Sequence, residues 1–137
     1  MDSYNSLRNR TRRDSDFISL NYILIAIAIL IYVANNQVLK IVFDNKIIHG
    51  QLNDVLGIIV FLSYANLLII YFGKKSLRIN SLKKIAISTI VVSLWWEYIT
   101  PFYHKSTSDP YDLVAYGIGS LIYFATIKRH EKLKPYK

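Results

Sequence analysis

The sequence predicts an all-α, polytopic integral membrane protein: a four-helix transmembrane bundle in one domain spanning residues 1–137, with both termini in the cytoplasm. Three observations predict it. Long apolar runs free of charge recur along the chain, the charged residues are confined to short stretches between those runs, and Lys and Arg alternate in abundance from one connecting segment to the next. The averages alone, 53% hydrophobic, 19% charged and a mean hydropathy of +0.25, would suit a globular domain. A globular domain, however, interleaves charge with apolar residues at the period of a helix or strand, and this chain segregates them.

The first element follows a basic tail, residues 1–16, and runs from Phe17 to Ala34 without an ionisable side chain. Crossing a hydrocarbon core of ~30 Å takes about 20 helical residues, and this run has nearly that length. A cleaved signal peptide is the competing reading, but no small-x-small cleavage site follows, so the run is read as a retained span. The second element, Val55 to Phe72, is also uncharged and is closed by Gly73-Lys74-Lys75. The third covers residues 85–100, follows Lys83-Lys84 and contains Glu97; the fourth covers 112–127 and precedes Lys128-Arg129. These last two are short, which snorkelling lysines and local bilayer thinning accommodate. Trp95, Trp96, Tyr98, Tyr103 and Tyr111 fall where aromatic residues gather at a headgroup boundary. A soluble helical bundle would have to bury two uncharged runs completely, and a chain this short has too little interior for that.

Orientation follows from the cations. The N-terminal tail, the second loop and the C-terminal tail together hold 14 Lys and Arg, whereas the first and third loops hold three: Lys40, Lys46 and Lys105. Short cytoplasmic segments carry the excess, which places both termini inside, and four spans give the same parity. The formal net charge of +8 is therefore assigned to topology signals beside anionic lipid rather than to nucleic acid. The expected surroundings are the lipid bilayer, with a homo-oligomer or another membrane protein as candidate partner.

This topology sorts the acids to the outer side. His49, Asn53 and Asp54 fall at the start of the second span, Glu97 about a turn inside the end of the third, and His104, Asp109 and Asp112 before or at the start of the fourth. Several of these have an ordinary structural explanation. Asp109-Pro110-Tyr111-Asp112 reads as a helix start, with Asp109 as N-cap and Pro110 at the first helical position. Asn53 or Asp54 would likewise cap the second helix, and His49 and His104 read as solvated loop residues. Glu97 is no cap. An ionisable group at that depth is costly unless it faces the bundle interior or a wet cavity, so Glu97 is the leading site residue, joined by Asp54, Asp109, Asp112 and His49. Ala115 and Gly119 form a small-xxx-small pair suited to close helix packing.

Chemistry is bounded mostly by absence. With no cysteine, disulfides and thiolate metal sites are excluded. No HExxH, GxSxG, P-loop or Gly-rich dinucleotide turn occurs, so no catalytic residue is assigned, enzymatic activity is not expected, and no cofactor is expected. The acids and histidines at the outer side are oxygen and nitrogen ligands of the kind that hold a divalent cation. No Arg is placed outside, which argues against an outward arginine clamp for phosphate.

Three stretches carry a family resemblance: His49-x-x-Leu52-Asn53-Asp54-Val55-Leu56, Trp96-Glu97-Tyr98-Ile99-Thr100-Pro101, and Thr107-x-Asp109-x-x-Asp112-Leu113-Val114-Ala115-Tyr116-x-x-Gly119. Over about residues 37–124 the chain resembles the small VanZ-like bacterial membrane proteins, which include short proteins labelled "magnesium citrate secondary transporter". Glu97, Asp109, Asp112 and Gly119 match that pattern; where it often carries an Arg before the acids, this chain has His104 and Lys105. The resemblance implies a four-helix protein of the bacterial inner membrane and little specific chemistry. The expected function is an outward-facing acidic site that binds a cation or an envelope-component head group. One rival is a small ion or metabolite transporter subunit acting as an oligomer. The other is a non-catalytic immunity or accessory protein that binds a membrane partner.

Overall fold

Four helices, with the short helical turns beside them, account for nearly all of the described residues. The computed structural model describes residues 2–39, 41, 46–99 and 110–133, with side chains described for 4, 6–38, 41, 50–99 and 111–133. Helix α1 spans Asp2–Ala34 and widens into a π-helical turn at Asn35–Leu39. Helix α2 spans Lys46–Tyr71, α3 spans Leu82–Leu94 with a second π-helical turn at Trp95–Ile99, and α4 spans Pro110–Leu133. No strand occurs among the described residues.

Two of these helices, α1 and α2, are long and apolar enough to cross a membrane. Neither is a core helix: within the most apolar stretch of each, 17% and 33% of the residues are buried. α1 also extends beyond its apolar stretch, because the basic tail is helical and continuous with it. α2 starts at Lys46, more than two turns before the apolar run that reveals it in the sequence. Asn53 and Asp54 therefore lie inside the helix and cap nothing, which corrects the capping expectation. α4 begins at Pro110 with Asp112 in its first turn, where a fixed φ and a carboxylate both suit a helix N-terminus.

α2 and α4 form a central parallel pair. Asp54 meets Asp112, Val55 and Ile58 meet Gly119, and Asn66 meets Tyr123, so the contacts advance along both helices together. Gly119 permits the approach: a Cβ built there would lie 2.5 Å from the Val55 carbonyl oxygen and nearer still to Ile58 Cγ2. α1 packs antiparallel on α2, and Asp14, Asn21, Ala28 and Asn35, each seven residues from the last, are buried along one line of α1 and its π-helical turn. That spacing is two helical turns and keeps one narrow seam against the neighbour. α3 packs on α4 through Ile85, Thr89, Ser93 and Glu97, four residues apart and buried.

The α2–α3 connection is closed by local chemistry. Gly73 adopts φ +70°, and Gly73 N–H and Lys74 N–H donate to the Ile70 and Ile69 carbonyls, satisfying the free carbonyls of the helix end. Ser81 caps α3 by accepting from the Lys84 N–H.

The core is apolar, built on Phe17, Ile58, Ile59, Leu62, Ile85, Tyr123 and Ile127, but it also takes in polar side chains while many apolar ones face outward. Asn21, Asn35, Ser63, Asn66, Thr89, Ser93 and Ser120 are buried, whereas Tyr22, Leu30, Ile90 and Leu121 are at least half exposed. Several of the buried amides and hydroxyls pair between elements. Tyr123 Oη donates to Asn21 Oδ1 at 2.7 Å and accepts from Asn66 Nδ2 at 2.6 Å, and Asn66 also accepts the Ile79 N–H and donates to its carbonyl. Thr89 and Ser120 share a hydrogen bond of 2.6 Å between α3 and α4.

Candidate functional site at the acidic end

The connectivity gives the bundle two unlike ends. At one, α1 and α3 begin and α2 and α4 finish, with Asp14, Lys75, Arg78 and His130 gathered there. At the other, α1 and α3 finish and α2 and α4 begin, bringing together Asn35, Asn53, Asp54, Glu97, Asp112 and Tyr116. Among the described side chains this second, acidic end holds no Lys or Arg.

Three carboxyl groups from three elements converge there. Asp54 of α2 and Asp112 of α4 share a side-chain hydrogen bond, and Glu97, on the π-helical turn after α3, lies within electrostatic range of Asp54. Tyr116, one turn into α4 from Asp112, is buried among all three acids. Glu97 is 8% exposed, the one buried glutamate among the described residues. Its position follows from the register of α3: it continues the i, i+4 series of Ile85, Thr89 and Ser93 that faces α4. The wide turn at Trp95–Ile99 carries it; such turns often mark functional sites. The other π-helical turn supplies Asn35, whose Nδ2 donates to Asn53 Oδ1 at 2.9 Å and ties α1 to α2 beside the acids.

A cavity of about 280 Å³ opens beside this group, with Asn53, Asp54, Gly57, Trp96 and Tyr116 in its wall. Like charges held this close disfavour simultaneous ionisation. A hydrogen bond between two carboxyls uses a proton on one of them, and a cation reaching Asp54 through the cavity would compete for the same oxygens. Among the described residues no three His, Asp or Glu side chains form a group able to hold a metal ion.

The other expected site residues are placed as follows. His49 falls within α2, but its side chain lies outside the described residues, as does all of Asp109, His104 and Lys105. Ala115 and Gly119 are buried, and Gly119 lies against α2. Sequence reasoning did not single out Asn35, or the Asn21–Tyr123–Asn66 network. The available signal was an amide within or at the end of an otherwise apolar run, since polar groups in a lipid-exposed helix turn toward a partner. No family model, curated protein or solved structure matches this chain.

Proposed function

We propose that the protein is a four-span, VanZ-like protein of the bacterial inner membrane, with both termini in the cytoplasm and the acidic end facing outward. There the negative field of Asp54, Glu97 and Asp112, which do not form a set of metal ligands among the described residues, draws in a cation or the head group of an envelope component beside Tyr116. The reading rests on one observation: carboxyls from three elements are collected around a buried tyrosine beside a cavity, with no described cation to neutralise them. The membrane setting is supported by the many outward apolar side chains and by the buried polar groups that pair between helices, both of which suit a lipid solvent. The orientation is supported by the 14-to-three distribution of Lys and Arg.

The chain's only two tryptophans, Trp95 and Trp96, provide the test, since Trp96 lines the cavity. Purified protein in detergent is titrated separately with Na⁺, Mg²⁺, Ca²⁺ and choline while indole fluorescence is recorded. At least one cation is expected to give a saturable change that strengthens as pH rises, because proton and cation compete for the same oxygens. Asp54→Asn and Glu97→Gln should abolish it. A wild type that responds to none of the four, or variants that respond as the wild type does, would sink the reading.

A second reading, a transporter subunit acting as an oligomer, is favoured by the buried polar residues Ser63, Asn66, Tyr123 and Asn21, which lie inside the bundle between its two ends. Cation flux into proteoliposomes that disappears in Glu97→Gln would select it over simple binding.

A further inference from the structure

The end of the bundle opposite the acids holds a larger cavity, of about 550 Å³. That lies within the ~300–1,000 Å³ range of small-molecule sites. Arg10 and Arg13 reach it from α1, and Lys75 and Arg78 from the α2–α3 connection. Against these four permanent cations stand two carboxylates, Asp14 and Glu131, and Glu131 already pairs with Lys128 at 2.7 Å. His130 of α4 completes the wall.

Arg78 is the best-fixed of the cations. Its side chain is 14% exposed, its Nη2 donates to Asp14, and its guanidinium lies over the Phe17 ring, 5.3 Å from the centroid. Asp14 also accepts from Lys75, so one carboxylate serves two cations and leaves positive charge in excess. Arg78 Nε is buried and has no hydrogen-bond partner among the described residues. A buried donor left unmatched beside a cavity calls for an acceptor. Topology signals need only sit in water at one side of a membrane, whereas these cations come from segments more than 60 residues apart and line one cavity. Arginine forks match phosphate oxygens in geometry and charge.

We infer that this cavity binds a phosphate-bearing anion through Arg10, Arg13, Lys75 and Arg78. The chemistry is independent of the acidic site. Its lipid source alone rests on the proposed topology, which sets the cavity at the cytoplasmic boundary, where anionic headgroups lie.

The test measures the affinity of the full-length protein in uncharged detergent for inorganic phosphate and for dihexanoyl phosphatidylglycerol. Uncharged dihexanoylglycerol and chloride at matched ionic strength are the controls. Both phosphate compounds or one of them should bind above the controls. Equal or stronger binding of inorganic phosphate identifies a free anion as ligand; tighter binding of phosphatidylglycerol identifies a headgroup. Arg10→Gln/Arg13→Gln should weaken binding by about tenfold or more, the worth of one or two charge-assisted hydrogen bonds. If the double variant does not fold by circular dichroism, Arg10→Gln alone, on an exposed position, takes its place. Binding no better than the controls, or undiminished binding in the folded variant, would overturn the proposal.

Discussion

At the scale of single residues, apolar side chains form the core, and several buried polar groups bridge it from one helix to another. Tyr123 is the clearest case, because its hydroxyl joins Asn21 of α1 to Asn66 of α2 from its own position on α4. Removing the oxygen strands two buried amide groups while leaving the ring in place. Tyr123→Phe should therefore destabilise the fold by about 1–3 kcal/mol, the cost of leaving a buried donor or acceptor unmade. Thermal unfolding of the detergent-purified variant checks this, and an unchanged midpoint would show that Asn21 and Asn66 find new partners. Glu97 and Asp54 differ from Tyr123 in kind. They are acids among acids, and among the described residues no Lys or Arg lies beside them.

At the scale of elements, Asp14 fastens the basic first part of α1 to the α2–α3 connection. It precedes the apolar stretch of its helix and accepts from both Lys75 and Arg78. Partial burial alone would raise the Asp14 pKa, but the two hydrogen bonds and the neighbouring positive charges prevail and hold its carboxyl below the usual carboxylate range. The sign of the linkage follows. A carboxyl whose folded-state pKa is depressed contributes its full stabilisation above the unfolded-state value, and loses it as pH falls through the lower folded-state value. Asp14→Asn should cost about 1–2 kcal/mol near neutral pH, less than the 3–5 of a fully buried pair because Lys75 is half exposed. The gap between variant and wild type should stay constant from about pH 8 to 5 and close below pH 4. Unfolding midpoints measured across that range check it; a gap that widens on acidification would contradict the assignment.

The same scale shows where the chain was legible. The apolar runs of α1 and α2 reveal both helices, because solvation of a long uncharged segment depends on composition alone. Their ends are less visible. α2 begins at Lys46 within a stretch of mixed polarity, so Asp54 reads as a cap in the sequence but lies well inside the helix. What turns it inward is its register against Asp112, a contact between residues 58 positions apart. Gly119 is similar: its spacing from Ala115 marks a packing face, but only the structure shows that Val55 and Ile58 of α2 fill it.

At the scale of the whole molecule, the outward apolar side chains and the asymmetry of charge are properties of the assembled bundle in its proposed solvent. If both termini are cytoplasmic, a cysteine introduced as Lys105→Cys is the only thiol in the chain and should react with a membrane-impermeant maleimide added from the outer side of intact cells or spheroplasts. A cysteine in place of Lys132, in the C-terminal segment, should react only after the membrane is opened. The reverse pattern would turn the acidic and basic ends around, and with them the compartments of both proposed sites.

Composition and order of residues were enough to establish a helical chain with at least two segments apolar enough to cross a membrane and a one-sided excess of cations. These are sums over local segments, and no contact between helices enters them. The acidic group, the Tyr123 network and the basic cavity depend on which faces of α1, α2, α3 and α4 meet. Those faces are selected by close approach at Gly119 and by the need of each buried amide, hydroxyl and carboxyl for a partner on another helix. Glu97 could be singled out from sequence because its cost is its own; its company of Asp54, Asp112 and Tyr116 exists only in the fold.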